Sequence, residues 1–204
     1  MNTKQTSFVA MMSALGLLLS AISLNAAPLL GTVGQSGAAL DLSHIATFVA
    51  AIFGGPYIGT IVGFLSGIYA GYYFGYVMGT LGVLSLIGVP FGKALTGLTA
   101  GFLYKKLRIN SNTRSSTITV PITLMSYIPE CIYTILYFLY IVPYVYPTMS
   151  FMTLMIPIVI PKAWIEIAVM SILMGALAGN AGFKEFISRF LYAPKLEKSY
   201  SKNK

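Results

Sequence analysis

Gly55-Pro-Tyr-Ile-Gly59-Thr-Ile-Val-Gly63-Phe-Leu-Ser-Gly67-Ile-Tyr-Ala-Gly71-Tyr-Tyr-Phe-Gly75-Tyr-Val-Met-Gly79 puts a glycine at every fourth position. In a water-soluble helix each interior glycine costs about 1 kcal/mol relative to alanine. In lipid the same spacing builds a groove, because residues four apart share a helix face and glycines let a second backbone come close. The groove drifts by roughly 40° per step, since four residues overshoot a 3.6-residue turn. The stretch therefore predicts a membrane helix packed tightly on a neighbour. It leaves open whether that neighbour is an internal helix or a moving partner.

Composition agrees. Of 204 residues, 56% are hydrophobic and 9% charged, with a mean hydropathy of +0.79; soluble domains average about 25% charged residues. The basic residues are clustered. Lys4 opens the chain, Lys105, Lys106, Arg108 and Arg114 form one group, and Lys184, Arg189, Lys195, Lys198, Lys202 and Lys204 form another. Only Lys93 and Lys162 lie elsewhere. The net charge of +8 thus reads as a topology signal. It is not a nucleic-acid footprint, because no aromatic residues alternate with the basic ones as base stacking requires. The single cysteine, Cys131, sits in an apolar run and has no second thiol for a disulfide or a metal site.

Taken in order, the chain predicts an all-α polytopic membrane protein, a bundle of six transmembrane helices with both termini cytoplasmic. The first helix covers Ser7 to Leu24. Its apolar run is longer than a usual signal core, so it reads as retained although Asn25-Ala26-Ala27 resembles a cleavage site. A glycine-rich loop, Asn25 to Leu40, is a candidate functional segment. Asp41 reads as the N-cap of a short second helix, Leu42 to Phe53. Gly54-Gly55-Pro56 turns into the third helix, expected to end near Gly71 to Gly75, with Gly75 and Gly79 in the following loop. The fourth helix spans Leu86 to Tyr104, the fifth Ile118 to Tyr140, and the sixth Leu154 to Leu177. The domain is expected to cover residues 1–182, followed by a cytoplasmic tail, 183–204, that opens with an amphipathic stretch from Phe183 to Tyr192. Six spans put both termini on one side, and the basic clusters fall on that same side, the cytoplasm by the positive-inside rule. The Gly55 end of the third helix then faces the cytoplasm and its tyrosine end faces outward.

The ionisable residues outside the basic clusters and the tail are Asp41, His44, Lys93, Glu130, Lys162 and Glu166. At about 1.5 Å per residue, all six fall in the outer half or the midplane of the bilayer. A charge at the bilayer centre costs about 2.5–3.5 kcal/mol, so these groups must face one another or a wet cavity. Lys162 and Glu166, four apart, share a helix face. One reading pairs Lys162 with Glu166 and Lys93 with Glu130 only to lock the helices. The other makes them the lining of an outward-facing pocket for a polar solute, with Trp164 offering a flat face for stacking and Tyr137, Tyr140 and Tyr144 nearby. Asp41 fits a cap better than a ligand, and His44 fits a hydrogen-bonded structural residue better than a ligand. No metal-ligand spacing, Gly-x-Ser-x-Gly elbow or phosphate loop is present. The chain reads as a non-enzyme without cofactor or ATP site.

These residues together resemble the substrate-binding S components of energy-coupling factor (ECF) vitamin transporters. The likeness rests on Ala10-x-x-x-Ala14 in the first helix, on Leu40-Asp-Leu-Ser-His-Ile45 running into Gly55-Pro56-x-x-Gly59-x-x-x-Gly63, on Gly92-Lys93 through Gly97-x-x-x-Gly101-x-x-x-Lys105-Lys106, and on Pro161-Lys162. It covers residues 7–180. The resemblance implies a multi-pass subunit of the cell (plasma) membrane that captures a vitamin-like small molecule outside, with the Asn25–Leu40 loop as a lid. It implies docking through Ala10 and Ala14 on a transmembrane coupling subunit that works with two ATPase subunits. It also makes the glycine ladder internal packing. The lid lacks the Trp and Tyr expected of a thiamine binder. The competing readings are a self-sufficient channel or secondary carrier, for which no inverted repeat is visible, and a membrane enzyme, for which only Asp41, His44 and Glu130 are available.

Overall fold

In the computed structural model, residues 1–26, 41–79, 81–107, 115–148, 153 and 155–191 are described. Helices account for almost all of them. They are α1 (Thr3–Ala26), α2 (His44–Gly54), α3 (Pro56–Tyr72), α4 (Val83–Lys106), α5 (Ser115–Ser126), α6 (Ile128–Leu136), α7 (Val142–Val145), α8 (Ile156–Gly179) and α9 (Ala181–Leu191). Two π-helical turns extend the set, Tyr73–Val77 after α3 and Tyr137–Ile141 between α6 and α7. Both carry the pattern Tyr-Phe-x-Tyr followed by an aliphatic residue. The expected lid lies outside the described residues except for Asn25 and Ala26, as do the loop residues 108–114 and the tail beyond Leu191.

Among the described residues, four helical stretches are long and apolar enough to cross a bilayer: Thr3–Ala26, Val83–Lys106, Ser116–Val145 and Ile156–Gly179. The second helix, α2, is short for a full span, as its sequence indicates. Its 11 residues cover about 16 Å at 1.5 Å per residue, roughly half the hydrocarbon thickness. The chain reaches α2 as non-helical backbone, with Asp41 and Ser43 buried. Irregular backbone at such depth is tolerated when protein satisfies its polar groups, and here it does. Ser43 N–H donates to Asp41 Oδ1 at 3.0 Å, and Asp41 N–H donates to Glu166 Oε1 at 2.8 Å. Asp41 is therefore not the N-cap of α2. The helix starts at His44, and Ser43 at its N-cap makes no side-chain capping bond.

The glycine ladder is the α3–α4 seam. A Cβ on Gly59 would lie 2.6 Å from the Gly97 carbonyl oxygen, on Gly63 2.5 Å from that of Lys93, on Gly67 2.7 Å from Pro90 Cα, and on Gly71 2.7 Å from the Ser85 carbonyl oxygen. Each step of four up α3 matches a step of three to five down α4, so two antiparallel backbones touch along their length. Gly75 departs from expectation. It lies inside the π-helical turn, packed against the Gly82 backbone, and not in the following loop. Gly79 does serve the loop, with φ +65°, a left-handed conformation that favours glycine.

The helix ends gather in two groups. Phe8 of α1 packs on Phe190 of α9 at 6.2 Å, and Phe53 at the end of α2 packs edge-on to Phe183 at 5.6 Å. Gly101 near the end of α4 meets Pro56, and Ser116 at the start of α5 donates to the Gly175 carbonyl of α8 at 2.8 Å. Lys4, Lys105, Lys106, Lys184 and Arg189 share this end of the bundle. The expected amphipathic stretch forms α9, which turns Ile187 and Leu191 inward. At the opposite end lie the close of α1, the approach to α2, both π turns and the start of α8.

Candidate functional site

The buried charges meet at that opposite end. Lys93, only 2% exposed, donates from Nζ to Asp41 Oδ2 and to Ser43 Oγ. Lys162 Nζ lies 3.0 Å from Glu166 Oε1, the oxygen that also accepts the Asp41 N–H. His44 Nε2 meets Glu130 Oε2 at 3.1 Å, and Thr96 Oγ1 donates to the same oxygen. The network ties α2, α4, α6 and α8 together. A buried ion pair is stabilising only when hydrogen bonds complete it, and these hydroxyl and backbone contacts supply them.

The ladder explains why Lys93 goes where it does. Its carbonyl faces Gly63 and its Cδ lies 3.2 Å from the Cβ position of Gly67. Lys93 thus sits on the side of α4 toward α3 and reaches the α2 approach. Glu130 of α6 packs on another side of α4, where its Cγ is 3.4 Å from the Cβ position of Gly92. The expected Lys93–Glu130 pair is therefore replaced by Lys93–Asp41 and His44–Glu130. The expected Lys162–Glu166 pair is present.

Beside this network is a cavity of about 260 Å³. Its polar lining comes from Asp41, His44, Glu130, Lys162 and Glu166, with Ser85 and Thr134. Tyr127, Tyr133 and Tyr137 form one wall, Phe74, Met78 and Leu81 another, and Met155 and Val159 a third. The two π turns supply Phe74 on one side and Tyr137 and Phe138 on the other, in keeping with the frequency of such turns at functional sites. Gly88 and Gly92 give the rings room. A Cβ on Gly88 would fall 2.7 Å from the Tyr137 ring.

Five of the seven residues singled out in the sequence line this cavity. Lys93 and Trp164 do not. Lys93 is behind Asp41, and Trp164 packs edge-on against Tyr127 at 5.3 Å. Two residues past Lys162, Trp164 is turned by about 200° around α8, away from the face that Lys162 and Glu166 share. Tyr140 and Tyr144, 66% and 88% exposed, are also not among the lining residues. Tyr127, Tyr133 and Thr134 were not singled out. Their signal was available, since Tyr127, Glu130, Tyr133, Thr134 and Tyr137 recur at three- and four-residue steps on one helical face. Two buried polar atoms of lining residues, His44 Nδ1 and Tyr137 Oη, have no partner among the described residues.

The helical bundle thus holds a partly open cavity lined by charged groups and aromatic rings. Residues 4–178 match the family model described as ECF transporter, substrate-specific component. The chain belongs to that family. No curated protein and no solved structure matches the sequence at a significant level. Membership makes this substrate-specific component an integral membrane part of a transporter, in a family that is not one of enzymes, and it implies work with ECF coupling and ATPase modules. Ala10 and Ala14 of the component lie exposed on α1 beside Met11, Leu15, Leu18 and Ile22. Among its described residues, no group of three or more His, Cys, Asp or Glu is placed to hold a metal ion.

Proposed function

We propose that the protein captures a vitamin or related micronutrient from outside the plasma membrane and delivers it through a coupling subunit served by two ATPases. The observation that carries this reading is the cavity itself, with charged groups on its floor and tyrosines on its wall. The distribution of charge supports the direction. The described basic residues outside the network gather at one end of the bundle, the positive-inside rule puts that end in the cytoplasm, and the cavity is at the other. Asp41, His44, Glu130, Lys162 and Glu166 contact the solute. Lys93 positions Asp41, and Trp164 supports Tyr127. α2 and α3 complete a bundle of six helices, with α2 shielded by its neighbours.

The test is binding without ATPase. Protein purified alone in detergent retains a small solute that mass spectrometry of an organic extract identifies. Lys162→Ala and Glu166→Gln each lower its occupancy about tenfold or more, as expected for loss of a charged hydrogen-bond partner, and by more than the loss in thermal midpoint accounts for. Normal occupancy in both variants would remove the cavity from consideration as the binding site.

A further inference from the structure

The charge of the site can be summed from the sequence. From Gln5 to Tyr104 and from Ser115 to Phe183 the chain holds three carboxylates (Asp41, Glu130 and Glu166), two ammonium groups (Lys93 and Lys162) and His44. Lys93 is matched to Asp41 and Lys162 to Glu166. Glu130 is left with the imidazole of His44 and the hydroxyl of Thr96. Counted with the imidazole neutral, the formal charges of these groups leave the site with one negative charge. That charge is in a buried location, where a lone charge is expensive.

An occupant bearing one positive charge would balance it. Glu130 uses only Oε2 in the contacts above, so Oε1 is outside them. Tyr127, Tyr133 and Tyr137 line the same cavity as Glu130, and the Tyr133 and Tyr137 rings lie 5.7 Å apart in a tilted pair. Aromatic faces beside a carboxylate hold a cation by its charge and by the ring quadrupole. Gly92 keeps the space next to Glu130 and Tyr133 open, since even a Cβ there would touch both at 3.4 Å.

We infer that the cavity selects a monocation borne on or beside a flat ring, with its positive charge at Glu130 and its ring against Tyr133 and Tyr137. The inference rests on the solute-capture reading above and narrows it to a class of substrate.

The experiment uses the full chain in detergent. The solute that copurifies is identified, and Glu130→Gln is compared with the unaltered protein. Glutamine keeps the shape of glutamate and still accepts from His44 and Thr96, so the fold is retained, as a thermal midpoint checks. The expected solute is cationic at neutral pH, and Glu130→Gln lowers its occupancy about 10- to 100-fold, the range for a lost charge-assisted contact. In parallel, 1-methylnicotinamide, a ring cation, is titrated against nicotinamide, its neutral counterpart, with the cation expected to bind at least about tenfold tighter. A neutral or anionic solute, unchanged occupancy in Glu130→Gln, or equal binding of the two probes would overturn the inference and leave the capture reading standing. No copurifying solute and no binding of either probe would overturn both.

Discussion

At the scale of the residue, Lys93 is the group whose role changes most between the sequence and the structure. It is almost fully buried, and its charge is met by Asp41 and Ser43. Removing one partner of a buried pair costs about 3–5 kcal/mol, whereas replacing both with apolar or neutral groups of similar size is often close to neutral. Asp41→Asn should therefore lower the thermal midpoint in detergent by about 10 °C or more, and adding Lys93→Met should restore most of the loss. A midpoint unmoved by Asp41→Asn would show that the pair does not hold the α2 approach in place. All six ionisable groups of the site were visible in the sequence, because charge in so apolar a chain stands out. Of their pairings only Lys162 with Glu166 was; those of Lys93, Asp41, His44 and Glu130 were not. Depth along a helix follows from counting residues, but rotation relative to neighbours depends on packing. Lys93 and Gly92 differ by one residue and about 100°, which sends one toward Asp41 and opens the other toward Glu130. Trp164 misled for the same reason, as a residue of suitable chemistry on the wrong side of α8.

At the scale of the element, the ladder converts sequence spacing into site geometry. Backbone contact between α3 and α4 is what brings Lys93 close enough to the α2 approach to pair there. Alanine at Gly63 would raise intrinsic helix propensity by about 1 kcal/mol, but its Cβ would lie 2.5 Å from the Lys93 carbonyl oxygen. Backbone cannot yield as a flexible side chain can, and overpacking typically costs about 1–3 kcal/mol. Gly63→Ala should thus lower the thermal midpoint. Gly92→Ala meets only side chains, at 3.4 Å, so it should keep the midpoint and weaken solute binding by filling space beside Glu130. If the two variants behaved alike in both measurements, the ladder and the cavity glycines would not have separate roles. The ladder was legible because four-residue glycine spacing has one simple use in lipid. The brevity of α2 was legible too. The π turns were not read, although Tyr73-Phe-Gly-Tyr-Val77 and Tyr137-Phe-Leu-Tyr-Ile141 share a pattern. An extra residue in a turn leaves no signature in hydrophobic period, and here it moves Phe74 and Tyr137 to the cavity wall.

At the scale of the whole molecule, α1 has two faces with different tasks. Phe8, Met12, Ser13, Gly16 and Ser20 are buried, and Gly16 fits so closely that a Cβ there would strike Ser66 of α3. On the other face Ala10 and Ala14 open a stripe that continues through Leu18 and Ile22, all exposed. Small residues on an exposed transmembrane face gain nothing from contact with lipid, where a larger apolar side chain would do as well. They do allow another helix to approach closely. A substrate-specific component must associate with its coupling module through some face, and this one is remote from the cavity lining. Ala10→Trp and Ala14→Trp should therefore abolish uptake in cells that supply the coupling and ATPase subunits, while the purified variants bind solute as the unaltered protein does. The separation of the two measurements carries the argument. Tryptophan on a lipid-facing stripe costs the fold little, so lost binding would mean that the face is internal. Retained uptake would place docking on another helix. The sequence could point to the Ala10–Ala14 pair only by resemblance, because small residues at that spacing also occur on buried faces. The structure adds that the side of α1 carrying them is covered by no described helix of this chain.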